Sequence, residues 1–269
     1  MAFGRLALHV PYITTKTEIL TMSREPKISR RNFVKLCASA IATVGANPNL
    51  LAKTDGKFHL YQRARLVDSE GHPITPSDLK IGENYLFHYP YISTPCFLLN
   101  LGRPTEKNTQ LETEDGKRYQ WQGGVGPENS IVAFSAICAH KMSHPARAVS
   151  FINYRHESVS YRNKEEKLNH RGQVIYCCSE KSVYDPLRGA KVLGGPAPQP
   201  LAAIVLEYDN NARSLHATGI YGGEMFDQFF EKFSFRLALE LNKTNIRKKI
   251  DNKTAVIPLA KYCETQILC

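Results

Sequence analysis

Ile131-Val132-Ala133-Phe134-Ser135-Ala136-Ile137-Cys138-Ala139-His140 passes without a charged residue from a block of strand formers into a thiol and an imidazole. The block is dense in Ile, Val and Phe and short enough to be a buried strand. A strand that ends on Cys-x-His brings two metal-binding side chains to one end of a sheet. Outward from it, the chain from about Phe58 to Leu215 reads as short strands separated by turns. Phe97-Leu98-Leu99-Asn100-Leu101 and Leu201 to Tyr208 are further strand runs, and Ser214-Leu215-His216-Ala217 returns after the Asp209-Asn210-Asn211 turn. Asp68-Ser69-Glu70-Gly71-His72-Pro73 and Asp115-Gly116-Lys117 are turn signals of the same kind, and Gly123-Gly124-Val125-Gly126 precedes a strand and reads as another. The expected fold class is all-β, an antiparallel β-sandwich or small barrel.

The end of the chain follows a different period. Phe226, Phe229, Phe230, Phe233, Leu237 and Leu241 recur at helical steps with Lys and Glu between them. That is an amphipathic helix, expected to dock on the β-domain; a membrane surface or a partner is the other use of such a stripe. The net charge of +10 raises the question of nucleic acid, but its location answers it. Residues 1–35 carry seven Lys and Arg against two Glu, and residues 231–269 carry eight against four acids, so the body is nearly neutral. A phosphate-reading surface would concentrate cations on the folded body, so nucleic acid is not an expected partner.

Ser29-Arg30-Arg31-Asn32-Phe33-Val34-Lys35 resembles a twin-arginine export motif, and the 11-residue apolar run Leu36–Ala46 follows it. A charged segment, a short apolar run and small residues make a signal peptide; the run is well short of the roughly 20 residues that span a bilayer. The expected divisions are residues 1–52 as an upstream extension plus signal, with Met22 as the start, residues 53–220 as the β-domain, and residues 221–269 as a basic helical tail. Such export carries folded, often cofactor-loaded proteins, so the expected location is the periplasm, in solution or associated with a membrane.

Seven cysteines, at 37, 96, 138, 177, 178, 263 and 269, suit a metal site plus spares better than a disulfide framework. Cys138-Ala139-His140 is followed by Cys177-Cys178-Ser179-Glu180-Lys181-Ser182-Val183-Tyr184-Asp185-Pro186, and then by Gly194-Gly195-Pro196-Ala197-Pro198-Gln199-Pro200. With these three boxes in this order, residues 60–220 resemble the Rieske [2Fe–2S] family, most closely the iron–sulfur subunits of quinol–cytochrome c reductases. The resemblance implies a Rieske-like sandwich with a cluster-binding loop subdomain, and two thiolates on one iron with two imidazoles on the other. Neutral imidazoles reduce the negative charge of the cluster and raise its potential above that of all-cysteine ferredoxins. It makes Cys138 the first thiolate and His140 the first imidazole. It gives Ser182 and Tyr184 the role of hydroxyl donors to the cluster sulfurs, and it makes Pro196 and Pro198 part of a covering loop.

The second box departs from the family's Cys-x-x-His, since no His lies between 171 and 215. One register makes Cys177 the thiolate and puts Glu180 where the imidazole belongs. The other makes Cys178 the thiolate and puts Lys181 there; it is preferred slightly, because it keeps the ligand spacing with a small Ser next. A carboxylate would lower the potential, and an amine must first lose its proton. The 36 residues from Lys141 to Tyr176 exceed the family's usual separation and are expected to form a polar surface excursion. His144, His156 and His170 lie in or near it as substitute ligands of lower rank. Ser143 stands where respiratory members have a second cysteine, so their disulfide between the cluster loops is not expected. A late Cys263–Cys269 disulfide is open in an oxidising compartment.

The expected function is an exported electron-transfer protein with a [2Fe–2S] cluster, serving a redox partner protein or a membrane quinol oxidoreductase. The alternatives are a degenerate Rieske fold that lacks the cluster and acts as a binding or assembly subunit, and a mononuclear metal site with zinc as the candidate ion. A self-contained catalyst is not expected. The chain has no nucleophile elbow or phosphate loop, and no His follows residue 220 to build a second, catalytic iron site.

Overall fold

The computed structural model describes Met1, residues 58–222 and residues 225–269, so the expected export signal and the Met22 start lie outside the described residues. In chain order the strands are β1 Phe58–Val67, β2 Tyr85–His88, β3 Pro95–Asn100, β4 Thr109–Glu112, β5 Arg118–Trp121 and β6 Ile131–Ser135. Then come β7 Val149–Ser150, β8 Ile152–Arg155, β9 Val159–Arg162, β10 Leu168–Arg171, β11 Val174–Cys177, β12 Ser182–Asp185 and β13 Lys191–Gly194. The chain continues with β14 Ala203–Asp209, β15 Ser214–Tyr221, helix α1 Phe226–Leu241, β16 Lys253–Ala255, β17 Ile257–Pro258, helix α2 Leu259–Tyr262 and β18 Thr265–Gln266.

Two sheets organise the domain. Eight strands run in the order β16-β1-β15-β14-β6-β3-β2-β17, and four form a smaller sheet, β13-β12-β11-β8. Pairing in both is antiparallel except for β16, which lies parallel to β1. The apolar runs that mark β3 and β6 lack in–out alternation because both faces of the large sheet are covered. Leu98 and Ala133 pack on one face with Phe226, Phe229 and Phe230 of α1. Phe97, Leu99, Val132 and Phe134 pack on the other with Trp121 and with Ile152, Tyr154, Ile175 and Tyr184 of the smaller sheet. The smaller sheet therefore rests on the large one, and the end of β6 opens beside the β11–β12 hairpin.

Local chemistry explains the turns. Asp68 Oδ1 accepts from the backbone N–H groups of Glu70 and His72, and Asp209 Oδ1 accepts from those of Asn211 and Ala212. Gly116 sits at φ 75° in the β4–β5 hairpin, a left-handed conformation that glycine adopts without a Cβ clash.

Two expectations change. The stretch after residue 221 contains the helix, with Phe226, Phe229, Phe230 and Leu237 buried, but it is not a free helical tail. After α1 the chain returns to sheet, with β16 on β1, β17 on β2 and β18 on β7. The polar excursion is likewise structured. Its charged tip, Asn163 to Lys167, closes a β9–β10 hairpin, while Tyr154 is buried in the main core. Val159 and Tyr161 pack with Val174, Tyr176 and Val183. Charged turn residues hid strands whose inward side chains make their own small core. Among the described residues no helix is long and apolar enough to cross a membrane.

His88 of β2 faces Tyr262 of α2, with ring centroids 6.0 Å apart, and burial together with the nearby Arg147 charge lowers its pKa from 6.5 to about 4. The folded state therefore disfavours the imidazolium. Stability should be fully present above pH 6.5 and be lost as pH falls from there through 4, by about 3 kcal/mol in total. Urea unfolding of the wild type and of His88→Gln across this range should show a shallower pH dependence in the variant.

Candidate metal centre

The first loop is a tight reversal directly after β6. The Cys138 N–H donates to Ser143 O at 2.8 Å, and the Met142 N–H donates to Cys138 O at 2.9 Å, with Met142 left-handed at φ 63°. Helix α1 holds this loop from outside. The His144 ring lies edge-on to Phe229 and Phe233 at 4.8 and 4.7 Å, and Lys232 Nζ donates to Lys141 O at 3.0 Å.

The second loop is the turn of the β11–β12 hairpin. Cys177 pairs with Ser182, leaving residues 178–181 to reverse the chain, with Lys181 left-handed at φ 58°. The Cys178 N–H donates to Phe151 O at 2.7 Å and ties this loop to the segment that descends from the first one. The box-three loop lies against it: a Cβ on Gly195 would run into the carbonyl oxygen of Lys181. Ala197 shares the apolar cluster of Cys138 and Cys177, whereas Pro196 and Pro198 are exposed.

Between the loops, Cys138 and Cys177 are both fully buried, and their thiols lie close enough for the charge on one to affect the other. Tyr184 fixes the polarity of this pair. The Ala139 N–H donates to its hydroxyl oxygen at 3.1 Å, leaving the O–H proton for Cys138 Sγ at 3.2 Å. Burial keeps Tyr184 protonated by pushing its pKa well above the usual value. The Cys138 pKa is held down to about 6, chiefly by the hydrogen bond from Cys177. Burial opposes this shift, and the Tyr184 hydroxyl and the His140 N–H assist it. Cys177, the partner that keeps its proton, is pushed upward, although the Glu180 N–H and the Ser143 side chain also reach its sulfur.

A second pair lies nearer the surface. His140 Nδ1 and Glu180 Oε2 are 3.4 Å apart, with side chains 29% and 21% exposed, and Lys141 Nζ is 3.4 Å from the same oxygen. His140 Nδ1 and Ser182 Oγ are buried atoms without a hydrogen-bond partner. Cys138, His140, Cys177 and Glu180 do not gather for one ion. Among the described residues, the group of three whose ligand atoms fall within 4.8 Å of one another is Asp68, Glu70 and His72 on an exposed turn. The buried site is instead two pairs, thiol with thiol inside and imidazole with carboxylate outside. Donors split into two pairs, with buried polar atoms beside them left without a hydrogen-bond partner, fit a two-metal cluster rather than a mononuclear zinc site.

The preferred sequence register is not the one these loops assemble. Cys178 is disulfide-bonded to Cys269, and Lys181 is exposed. The reason is strand alternation: Cys177 ends β11 pointing into the core, so its neighbour Cys178 points away. Cys263 does not pair with Cys269; it is a buried thiol that donates to Ala146 O at 2.9 Å. The substitute histidines are engaged elsewhere. His144 Nδ1 lies 2.9 Å from Met142 O, His156 lies by Tyr154, and His170 Nδ1 is 3.0 Å from Ser160 Oγ on the β9–β10 hairpin. Sequence reasoning missed the Cys178–Cys269 link, because the pairing of distant cysteines is not encoded in their spacing.

An all-β domain whose two loops bring together a buried cysteine pair and a part-exposed histidine, with a tyrosine hydroxyl on one sulfur, has the arrangement that the resemblance of its sequence boxes to the Rieske family implies. No family model matches the chain. It is similar to the iodate reductase subunit IdrB of Denitromonas iodatirespirans, 30% identical over 146 residues, which is 54% of this chain and 60% of that protein. The match thus spans less than two thirds of that relative's length. Among solved structures it is similar to the soluble domain of the Rieske protein II (soxF) from Sulfolobus acidocaldarius. The TM-score is 0.40 at 25% identity, covering 64% of this chain and 85% of that one.

Tyr184→Phe removes the donor to Cys138 and strands the buried Ala139 N–H. Urea unfolding should show a loss of about 1–3 kcal/mol, against a negligible change for Lys181→Ala in the same assay.

Proposed function

We propose that this chain is the exported electron-transfer subunit of a reductase and carries one [2Fe–2S] cluster between its two loops. Cys138 and Cys177 would hold the inner iron, with His140 and Glu180 holding the outer one. The observation that carries this reading is the separation of the four donors into two pairs, the buried thiols of Cys138 and Cys177 and the part-exposed His140–Glu180 pair. When bound, the cluster supplies one-electron transfer at a potential set by its ligands and hydrogen bonds. The protein's own part is to keep the thiols dry, to direct the Tyr184 O–H at one sulfur, and to present His140 at the part-exposed end, where a redox partner protein or a membrane quinol oxidoreductase can approach. Glu180 adds a negative charge that an imidazole would not, and Lys141 beside it offsets part of that charge. Similarity to an iodate reductase subunit supports assignment to a multisubunit reductase. The twin-arginine motif supports periplasmic delivery.

A second reading has its own observation. Glu180 is already satisfied by His140 and Lys141, as it would be in a degenerate fold that has lost the cluster and serves as a binding or assembly subunit.

Iron and labile-sulfide analysis of protein from a cluster-competent host decides between them. About two irons and about two sulfides per chain, with an EPR signal on reduction, are expected; colourless, iron-free protein sinks the electron-transfer reading. Glu180→Ala should lose iron while Lys181→Ala retains it. Glu180→His should raise the midpoint potential by on the order of 100 mV, read by redox titration.

A further inference from the structure

The C-terminal residues run along the first ligand loop's exit and end at the second ligand loop. After α2, the Glu264 N–H donates to Arg147 O at 2.8 Å, the Thr265 N–H to Ala148 O at 3.1 Å, and the Ile267 N–H to Ser150 O at 2.8 Å. These bonds lay β18 parallel on β7, which the chain reaches directly after the first loop. Two side chains continue the attachment: Asn153 Nδ2 donates to Ile267 O at 3.0 Å, and Arg155 Nη1 donates to Cys269 O at 3.0 Å. The last residue is then joined covalently to Cys178, with Cα atoms 5.7 Å apart across a sequence separation of 91.

Cys178 is the residue immediately after Cys177, and it opens the turn that carries Glu180. A covalent bond there limits how far the whole turn can move from β7 and β8. The opposite loop offers no thiol for this purpose, since Ser143 stands in it and its side chain reaches Cys177. We propose that the end of the chain is a strap that positions the second ligand loop against the first, with the Cys178–Cys269 disulfide as its fastening. Cys269 and Cys178 are positioning residues, not ligands. As far as the metal centre is concerned, the proposal rests on the ligand set given above. The strap itself is a statement about the two loops with or without a cluster.

The physical argument is the cost of disorder. Two loops far apart in sequence must meet with both sulfurs buried, and each is a turn with few internal hydrogen bonds of its own. A cross-link that closes a long stretch of chain removes much of the freedom of the opened state, and more for longer stretches. Without it, the second turn is held by the β11–β12 ladder on one side and by the Cys178 N–H to Phe151 O bond on the other.

The experiment compares the full-length wild type with Cys269→Ser and Cys178→Ser, using Cys263→Ala as a control that perturbs the same terminal segment without cutting the link. Hydrogen exchange should be faster in residues 138–144 and 177–182 of both serine variants and unchanged there in the control. In iron-loaded protein, both serine variants should bind iron but lose it on the order of tenfold faster in air. Their reduced-state EPR spectra should be broadened or shifted in the same way. Unchanged exchange and spectra in Cys269→Ser would overturn the strap. Failure of Cys178→Ser alone to bind any iron would overturn it too, and would return Cys178 to the ligand set. If the wild type binds no iron, the electron-transfer reading fails, and exchange in the two loops still decides the strap.

Discussion

The contact between the thiols of Cys138 and Cys177 is the constraint on which the rest of this domain depends. Each sulfur belongs to a different loop, and each residue is fully buried. The large sheet brings Cys138 to the meeting point at the end of β6. The smaller sheet brings Cys177 at the end of β11. Everything around them is a means of keeping the ends of those two strands in register: α1 gripping His144, the glycine that lets the 194–200 loop approach Lys181, and the paired C-terminal strand.

Electrostatics divides the site along the same line. Inside, a neighbouring thiol, a phenol and a backbone N–H converge on Cys138 and overcome the burial that would otherwise keep it neutral. A buried thiolate without such donors would be costly, so the donors are part of what makes the sulfur usable. Outside, the Glu180 carboxylate takes the place beside His140 where the family pattern has an imidazole, and Lys141 balances it. The outer pair thus sets a carboxylate and an ammonium group beside a single imidazole.

The segment from Phe226 to Cys269 shows how a fold can move a stabilising device. Apolar helix residues close one face of the large sheet, β16 and β17 extend that sheet, β18 pairs with β7, and Cys269 reaches back to the second loop. The hairpin between the boxes adds a small core of its own.

Much of this was legible in the sequence, and the reason is local. The runs at 97–101, 131–137 and 201–208 announce strands because a sheet covered on both faces needs consecutive apolar side chains. Asp68, Asp209 and Gly116 announce turns because their chemistry satisfies or bends the backbone within a few residues. Cys138, His140, Ser182 and Tyr184 follow from the order of the boxes. The choice between Cys177 and Cys178 did not follow, since two adjacent cysteines look alike until the end of β11 decides which side chain faces inward. The partner of Cys178, the insertion of the final strands, and the pairing of His140 with Glu180 are contacts between residues far apart in the chain. Spacing carries no information about such contacts; packing does, and it appears only when the two sheets are in place.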